Sequence, residues 1–353
     1  MVERGELAAE YLTVESEHSA MAAVVAASQV GARAFTASSA NGLLYMHEML
    51  HWAAGSRVPV VMACVNRGVG APWTILNDQQ DSISQRDTGW IQLYCRESQE
   101  VLDTIIQGYR IAETVSIPVM VCYDGFVLSH TSTAVEVPDQ QTVDAFLPPR
   151  SNGIPLDSGV SMNINPLILS EPRADPSGVL RPGYMDLRYR LHCDLIGALE
   201  VIETVDRAYG SAFGREWGGL FWTYRMDDAA YAVVSMGSLA LECTLAVDEL
   251  RRNGIPVGVV GVRTYRPFPW EALSRTLAER KTVIVVEKNV SYGYRGALAT
   301  DLKAALFDAG LRPGFASFVA GLGGRDVRSE ELVQVVRSVI SGAPTSGWLN
   351  IRV

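Results

Sequence analysis

Residues 34–65, AFTASSANGLLYMHEMLHWAAGSRVPVVMACV, decide how this chain is read. A short strand pattern at Ala34–Ala37 passes into a helical one at Gly42–Ala54. Val58–Val65 then follows, apolar at almost every position. A strand wetted on one face alternates in polarity, whereas one covered on both faces reads as a continuous apolar run. Strand, helix, covered strand: this order predicts a parallel sheet with right-handed crossovers.

Working outward, the same rhythm continues on both sides. Upstream, Tyr11–Val14 reads as a strand, and Ser16 as the N-cap of a helix ending near Gly31. Downstream lies a long polar stretch, Asn66 to Thr88, of a kind that tends to be functional inside a compact domain. A strand at Trp90–Tyr94, a helix at Gln99–Val115 and a strand at Ile117–Tyr123 follow. Residues 136–227 break the rhythm with Pro148, Pro149, Pro155, Pro166, Pro172, Pro176 and Pro182, relieved by one helix at Tyr189–Tyr209. They read as an arm associated with the first domain. A second series begins with a strand at Ala230–Met236 and a helix at Leu239–Asn253, stopped by Gly254. Strands at Val257–Val262, Thr282–Glu287 and Gly314–Ala320 then alternate with helices at Pro269–Arg280, Gly296–Ala309 and Ser329–Ser341. The expectation is an α/β protein of two parallel-sheet domains, residues 1–135 and 228–353, joined by the arm at 136–227.

Composition narrows the function. A net charge of −9 and the lack of any Lys/Arg block argue against nucleic acid as a partner. No run of 18 or more apolar residues occurs and no charged-then-apolar leader is seen, so no membrane and a cytoplasmic location are expected. The five cysteines, Cys64, Cys95, Cys122, Cys193 and Cys243, are scattered without a CxxC spacing, so neither an iron–sulfur nor a zinc ligand set is in view. Cys64 and Cys122, inside apolar strand patterns, read as buried small hydrophobes.

Ligands of open parallel sheets gather at the carboxyl ends of the strands. Glu15, Ser16, Glu17 and His18 follow the first strand pattern, Ser38 to Gly42 the second, and Asn66 and Arg67 the third. Each has a plainer explanation. An acid in a first helical turn suits the helix dipole, which alone would account for Glu17. Arg67 could be a solvated strand-end charge, and His18, His47 and His51 packing residues.

Several longer motifs are more specific. Val14-Glu15-Ser16-Glu17-His18-Ser19-Ala20-Met21, Phe35-Thr36-Ala37-Ser38-Ser39-Ala40-Asn41-Gly42-Leu43 and Asp81-Ser82-Ile83-Ser84-Gln85-Arg86-Asp87-Thr88-Gly89-Trp90 occur in that order. Asp124-Gly125-Phe126, Arg266-Pro267-Phe268-Pro269 and Ala320-Gly321-Leu322-Gly323-Gly324-Arg325-Asp326 follow. Together they resemble alpha subunits of pyruvate:ferredoxin oxidoreductase and its 2-oxoacid relatives, over nearly the whole chain.

The resemblance implies a first domain like the pyrimidine-binding half of a thiamine diphosphate site, and a second like the transketolase C-terminal domain. It implies CoA-dependent oxidative decarboxylation of a 2-oxoacid, pyruvate first. The alternatives are 2-oxoisovalerate, 2-oxoglutarate, an aryl 2-oxoacid, or a non-catalytic scaffold subunit. Mg²⁺ and 4Fe-4S clusters would sit on partner chains, none on this one. The partners would be a beta subunit, gamma and delta subunits or their equivalents, and ferredoxin. Glu17 matches the glutamate that hydrogen-bonds the aminopyrimidine N1′, and Arg67 the arginine that pairs with the substrate carboxylate. Ser39 and Gly42 fall at cofactor-binding positions, Asn41 at a substrate-binding one. Two departures stand out. The usual Ser-Gln-Gly is Ala40-Asn41-Gly42 here, and the chain begins after the family's opening strand and its Tyr-Pro-Ile-Thr-Pro motif.

Overall fold

The Ser16 side chain accepts the backbone N–H of Ser19 at 3.2 Å, and with that cap helix α1 (Glu17–Gln29) begins. The structure, a computed structural model, describes residues 2–150, 170–174, 178, 180–342 and 345–352. Much of the arm, including Pro155, Pro166 and Pro176, lies outside the described residues.

The first half then runs β1 (Phe35–Ser38), α2 (Ala40–Tyr45), α3 (His47–Gly55), β2 (Val61–Asn66), α4 (Gln80–Ile83), β3 (Ile91–Tyr94), α5 (Ser98–Val115) and β4 (Val119–Asp124). The arm supplies α6 (Gln140–Phe146), a two-residue pair β5 (Arg173–Ala174) and β6 (Leu180–Arg181), and the 30-residue α7 (Tyr184–Phe213). Next come β7 (Phe221–Tyr224), β8 (Tyr231–Met236), α8 (Gly237–Arg252), β9 (Val257–Val262) and β10 (Thr264–Arg266). The chain closes with α9 (Trp270–Leu277), β11 (Thr282–Glu287), α10 (Ala297–Asp308), β12 (Gly314–Val319), α11 (Ser329–Ile340) and β13 (Ser346–Trp348).

Two sheets result, of order β1-β2-β4-β3-β10 and β13-β12-β11-β8-β9-β7. All neighbours are parallel except the edge strands β10 and β7. Every residue of β9 is buried, and β2 and β4 each have five of six positions buried, as strands covered by helices on both faces require. The arm's long helix packs along α5.

Some expectations are corrected. Tyr11–Val14 is not a strand: no neighbour pairs with it, and Tyr11 and Leu12 lie exposed. Its β-type residues favour a pleated surface only where a partner strand exists. The helix expected over Gly42–Ala54 is broken at Met46 (φ −89°, ψ 6°). Cys64 and Cys122 are buried as expected, as are Cys95 and Cys243, while Cys193 on α7 is exposed.

The shortest passage between the two sheets runs from β9 to β10. β9 ends in the second sheet at Val262, and β10 begins in the first at Thr264, with only Arg263 between them. Arg263 is completely buried. Its guanidinium donates to Glu100 Oε1, Thr104 Oγ1, Gln107 Oε1 and the Gly219 carbonyl, each at 3.0 Å. Beside it, Asp103 accepts from Tyr209 (2.8 Å), Arg215 (2.8 Å) and the Trp217 indole (3.0 Å). Asp206 accepts from Gln107 (3.0 Å) and the Gly219 N–H (2.8 Å). This satisfied network rivets α5, α7 and the approach to β7 onto the sheet junction.

Candidate active site

The carboxyl ends of β1, β2 and β4 lie side by side, and the chain leaves them at Ser39, Arg67 and Gly125. The N-terminus of α1 faces the same edge: a Cβ at position 42 would stand 2.6 Å from Glu17 Oε1 and 2.9 Å from Ser38 Oγ. Only glycine leaves room there for the Glu17 carboxylate. Glu17 itself is exposed, and among the described residues its carboxylate has no hydrogen-bond or ion-pair partner. Its neighbour Glu15, by contrast, accepts the Ser19 hydroxyl at 2.6 Å, which lowers its pKa.

Arg67 leaves the end of β2 at the same edge. Its Nε and Nη2 both donate to Ser39 Oγ, at 2.9 and 2.6 Å. Asn41 is exposed, and its side-chain oxygen accepts the Gly70 N–H at 3.1 Å, pinning the turn after β1 to the loop after β2. The structure thus brings Glu17, Gly42, Ser39 and Arg67 to one edge, with Asn41 on its rim. His47 lies against Gln85 and edge-on to His51, with ring centroids 4.9 Å apart.

Asp81, expected at this edge only as one of several polar groups of the loop after β2, has a role of its own. This fully buried carboxylate takes four N–H donors: Ala40 N (2.9 Å) and Arg67 N (3.0 Å) on one oxygen, Asn66 Nδ2 and Ser82 N (both 2.7 Å) on the other. Burial pushes its pKa up to about 6, against the pull of those bonds. Ala40 sits at φ +50°, a left-handed backbone unfavourable for a residue with a Cβ, and the bond to Asp81 helps hold it there. The sequence placed Asp81 in a loop expected to be functional and at the head of a motif, but gave no sign of the donors it gathers.

Asp124, also given no role above, ties the two sheets together at their carboxyl ends. It accepts the Ser238 N–H at 3.2 Å, the Ser238 hydroxyl, and Lys288 Nζ at 3.3 Å. Burial raises this carboxyl, yet Lys288 and the hydroxyl carry it below its ordinary range. The long polar stretch is a strut across the same gap. Gln79 N donates to the Lys288 carbonyl (2.8 Å), Val290 N to Gln80 Oε1 (3.0 Å), and Gly324 N to the Asn77 carbonyl (2.7 Å).

Comparison with known proteins gives the family of the chain. Residues 1–175 match the family model "Pyruvate flavodoxin/ferredoxin oxidoreductase, thiamine diP-bdg", and residues 229–332 match "Pyruvate:ferredoxin oxidoreductase core domain II". Ketoisovalerate oxidoreductase subunit VorA of Pyrococcus horikoshii is 44% identical over 344 residues, 96% of this chain and 85% of that one. The chain belongs to the PorA/VorA family of 2-oxoacid:ferredoxin oxidoreductase alpha subunits. Pyruvate synthase subunit PorA of Methanothermobacter thermautotrophicus is another relative of this PorA/VorA-family chain, 41% identical over 99% of it and 87% of the relative. The fold is shared with 2-oxoglutarate:ferredoxin oxidoreductase from Magnetococcus marinus (TM-score 0.66, 19% identity), over 96% of this chain and 59% of that one.

The edge suits the pyrimidine end of thiamine diphosphate on its own geometry. A carboxylate without a partner stands open beside a position where a Cβ would intrude. Among the described residues, no helix is long and apolar enough to cross a membrane.

Proposed function

We propose that this PorA/VorA-family chain supplies the Glu17–Arg67 half of an active site shared with a beta subunit. The complex carries out CoA-dependent oxidative decarboxylation of a 2-oxoacid, with pyruvate the leading substrate and electrons passed to ferredoxin. In this reading the beta subunit holds the diphosphate, Mg²⁺ and a 4Fe-4S cluster, gamma and delta subunits or their equivalents complete the assembly, and the location is cytoplasmic. The observation that carries the proposal is the Glu17 carboxylate, without a partner among the described residues and framed by Gly42, on the same sheet edge as an arginine held by Ser39.

When bound, thiamine diphosphate supplies an acidic thiazolium C2–H and an electron sink for the carbanion chemistry. Glu17, exposed at the sheet edge, would exchange a proton with the pyrimidine N1′. Arg67 pairs its planar fork with the 2-oxoacid carboxylate and orients the 2-oxo carbon. Relatives named for pyruvate and for ketoisovalerate are nearly equally similar, at 41% and 44% identity, which supports 2-oxoisovalerate as the second reading.

The deciding experiment is Glu17→Gln in the assembled complex. The amide keeps the shape but cannot relay a proton. Turnover and C2-proton exchange in deuterated solvent are expected to fall together by about 10²–10⁴-fold, with assembly intact. Near-normal values of both would return Glu17 to the role of a helix-dipole acid, as a non-catalytic scaffold would also predict. Rates with pyruvate and 2-oxoisovalerate in the parent complex separate the two substrate readings.

A further inference from the structure

An arginine meant to receive a carboxylate gains most if its fork is already aimed. The long side chain otherwise loses rotamer entropy on binding. Arg67 is anchored at both ends. Its backbone N–H is held by Asp81 Oδ2, and the same oxygen holds the N–H of Ala40, the residue directly after Ser39. The base of the arginine and the base of Ser39 are therefore stapled to one buried atom. At the far end, the Ser39 hydroxyl accepts from both Nε and Nη2, the two nitrogens on one side of the guanidinium. Nη1 has no hydrogen-bond partner among the described residues. The edge left open is the end of the fork, where Nη1 and the second hydrogen of Nη2 point together. That edge matches a carboxylate bidentately.

We propose that Ser39 is a positioning residue: it fixes the Arg67 guanidinium so that its Nη1–Nη2 edge faces the incoming 2-oxoacid carboxylate. The inference deepens the reading of Arg67 given above and rests on it. It moves Ser39 from the cofactor-binding role implied by resemblance to a role in substrate orientation. It also separates two kinds of residue on the edge. Glu17 acts through a group it has kept free, whereas Ser39 acts entirely through a neighbour.

Steady-state kinetics of the complete complex with pyruvate as the varied substrate test this. Ser39→Ala is expected to raise KM about tenfold, the usual scale for a hydrogen bond to a charged group. It should leave kcat, the affinity for thiamine diphosphate and the unfolding temperature close to the parent's. Ser39→Thr keeps the hydroxyl and is expected to restore KM. In an Arg67→Ala background, Ser39→Ala should add nothing further. A purely structural role predicts the reverse: a lowered unfolding temperature, and an effect that multiplies with that of Arg67→Ala. Ser39→Ala that leaves KM unchanged while Arg67→Ala raises it overturns this proposal alone. Ser39→Ala that weakens thiamine diphosphate binding instead does so as well. Arg67→Ala without any effect on KM removes the substrate role of Arg67, and this proposal with it.

Discussion

Two acid-bearing regions of this chain face opposite ways in their chemistry. At the junction between the sheets, Glu100, Asp103 and Asp206 are all buried and every one is met by donors from other elements. At the carboxyl edge of the first sheet, Glu17 stands exposed with no partner among the described residues. Residue type does not distinguish the regions; unused hydrogen-bonding capacity does. The saturated carboxylates hold the molecule in one shape. The unsaturated one has something left to offer a ligand.

That contrast is open to attack. If it is sound, Glu17→Gln removes activity and leaves the unfolding temperature of the complex unchanged, and no other change to the edge should exceed its rate effect of about 10²–10⁴-fold. Glu100→Gln should do the converse. It strips the charge from a buried pair and leaves the Arg263 guanidinium in a dry site, at a cost of about 3–5 kcal/mol in stability. Denaturant unfolding is the measurement, and a loss below about 1 kcal/mol would show the junction to be ordinary packing.

Arg67→Ala sharpens the comparison from the edge side. KM for the 2-oxoacid is expected to rise by the equivalent of about 2–5 kcal/mol, much of it from leaving a carboxylate unpaired. Cofactor affinity should hold. A collapse of thiamine diphosphate binding with KM unmoved would place Arg67 with the junction residues, as scaffold.

The smallest effect is one of pH. Glu287, at the end of β11, is buried beneath the start of α10, where it accepts the N–H groups of Leu298 (2.8 Å) and Ala299 (3.1 Å). Burial pushes its pKa up to about 7 from 4.5. Between those values the folded chain holds a proton that the unfolded chain has released. Glu287 therefore favours folding as the pH drops through this window, and its contribution is lost as the pH rises through 7. The full swing is on the order of 3 kcal/mol, at most. Comparing urea midpoints at pH 5 and pH 7.5 should show a weaker pH dependence in Glu287→Gln than in the parent. Identical slopes would sink the assignment.

Much of this architecture was legible in the residues because the covered strands advertise themselves. β2, β9 and β11 are apolar at nearly every position, and Ser16 caps its helix as its side-chain chemistry demands. Edge strands other than β1 did not advertise themselves. β7, β10 and β13 are three or four residues long, too short to show a period, and β10 finds its partner in the other sheet. Local pattern carries no word of such a pairing. The edge residues Glu17, Ser39 and Arg67 were legible because each closely follows a strand pattern or begins a helix. Asp81 was not, since its importance lies in four donors gathered from three separate stretches of chain.

The single-residue passage from β9 to β10 bears on how the molecule can move. Tyr94 N donates to the Arg263 carbonyl at 2.7 Å, so the backbone that finishes one sheet is already bonded into the other. A hinge needs a few residues free to change their torsions, and here that space is one buried arginine with four bonds of its own. The passage from β9 to β10 therefore offers no hinge between the two sheets.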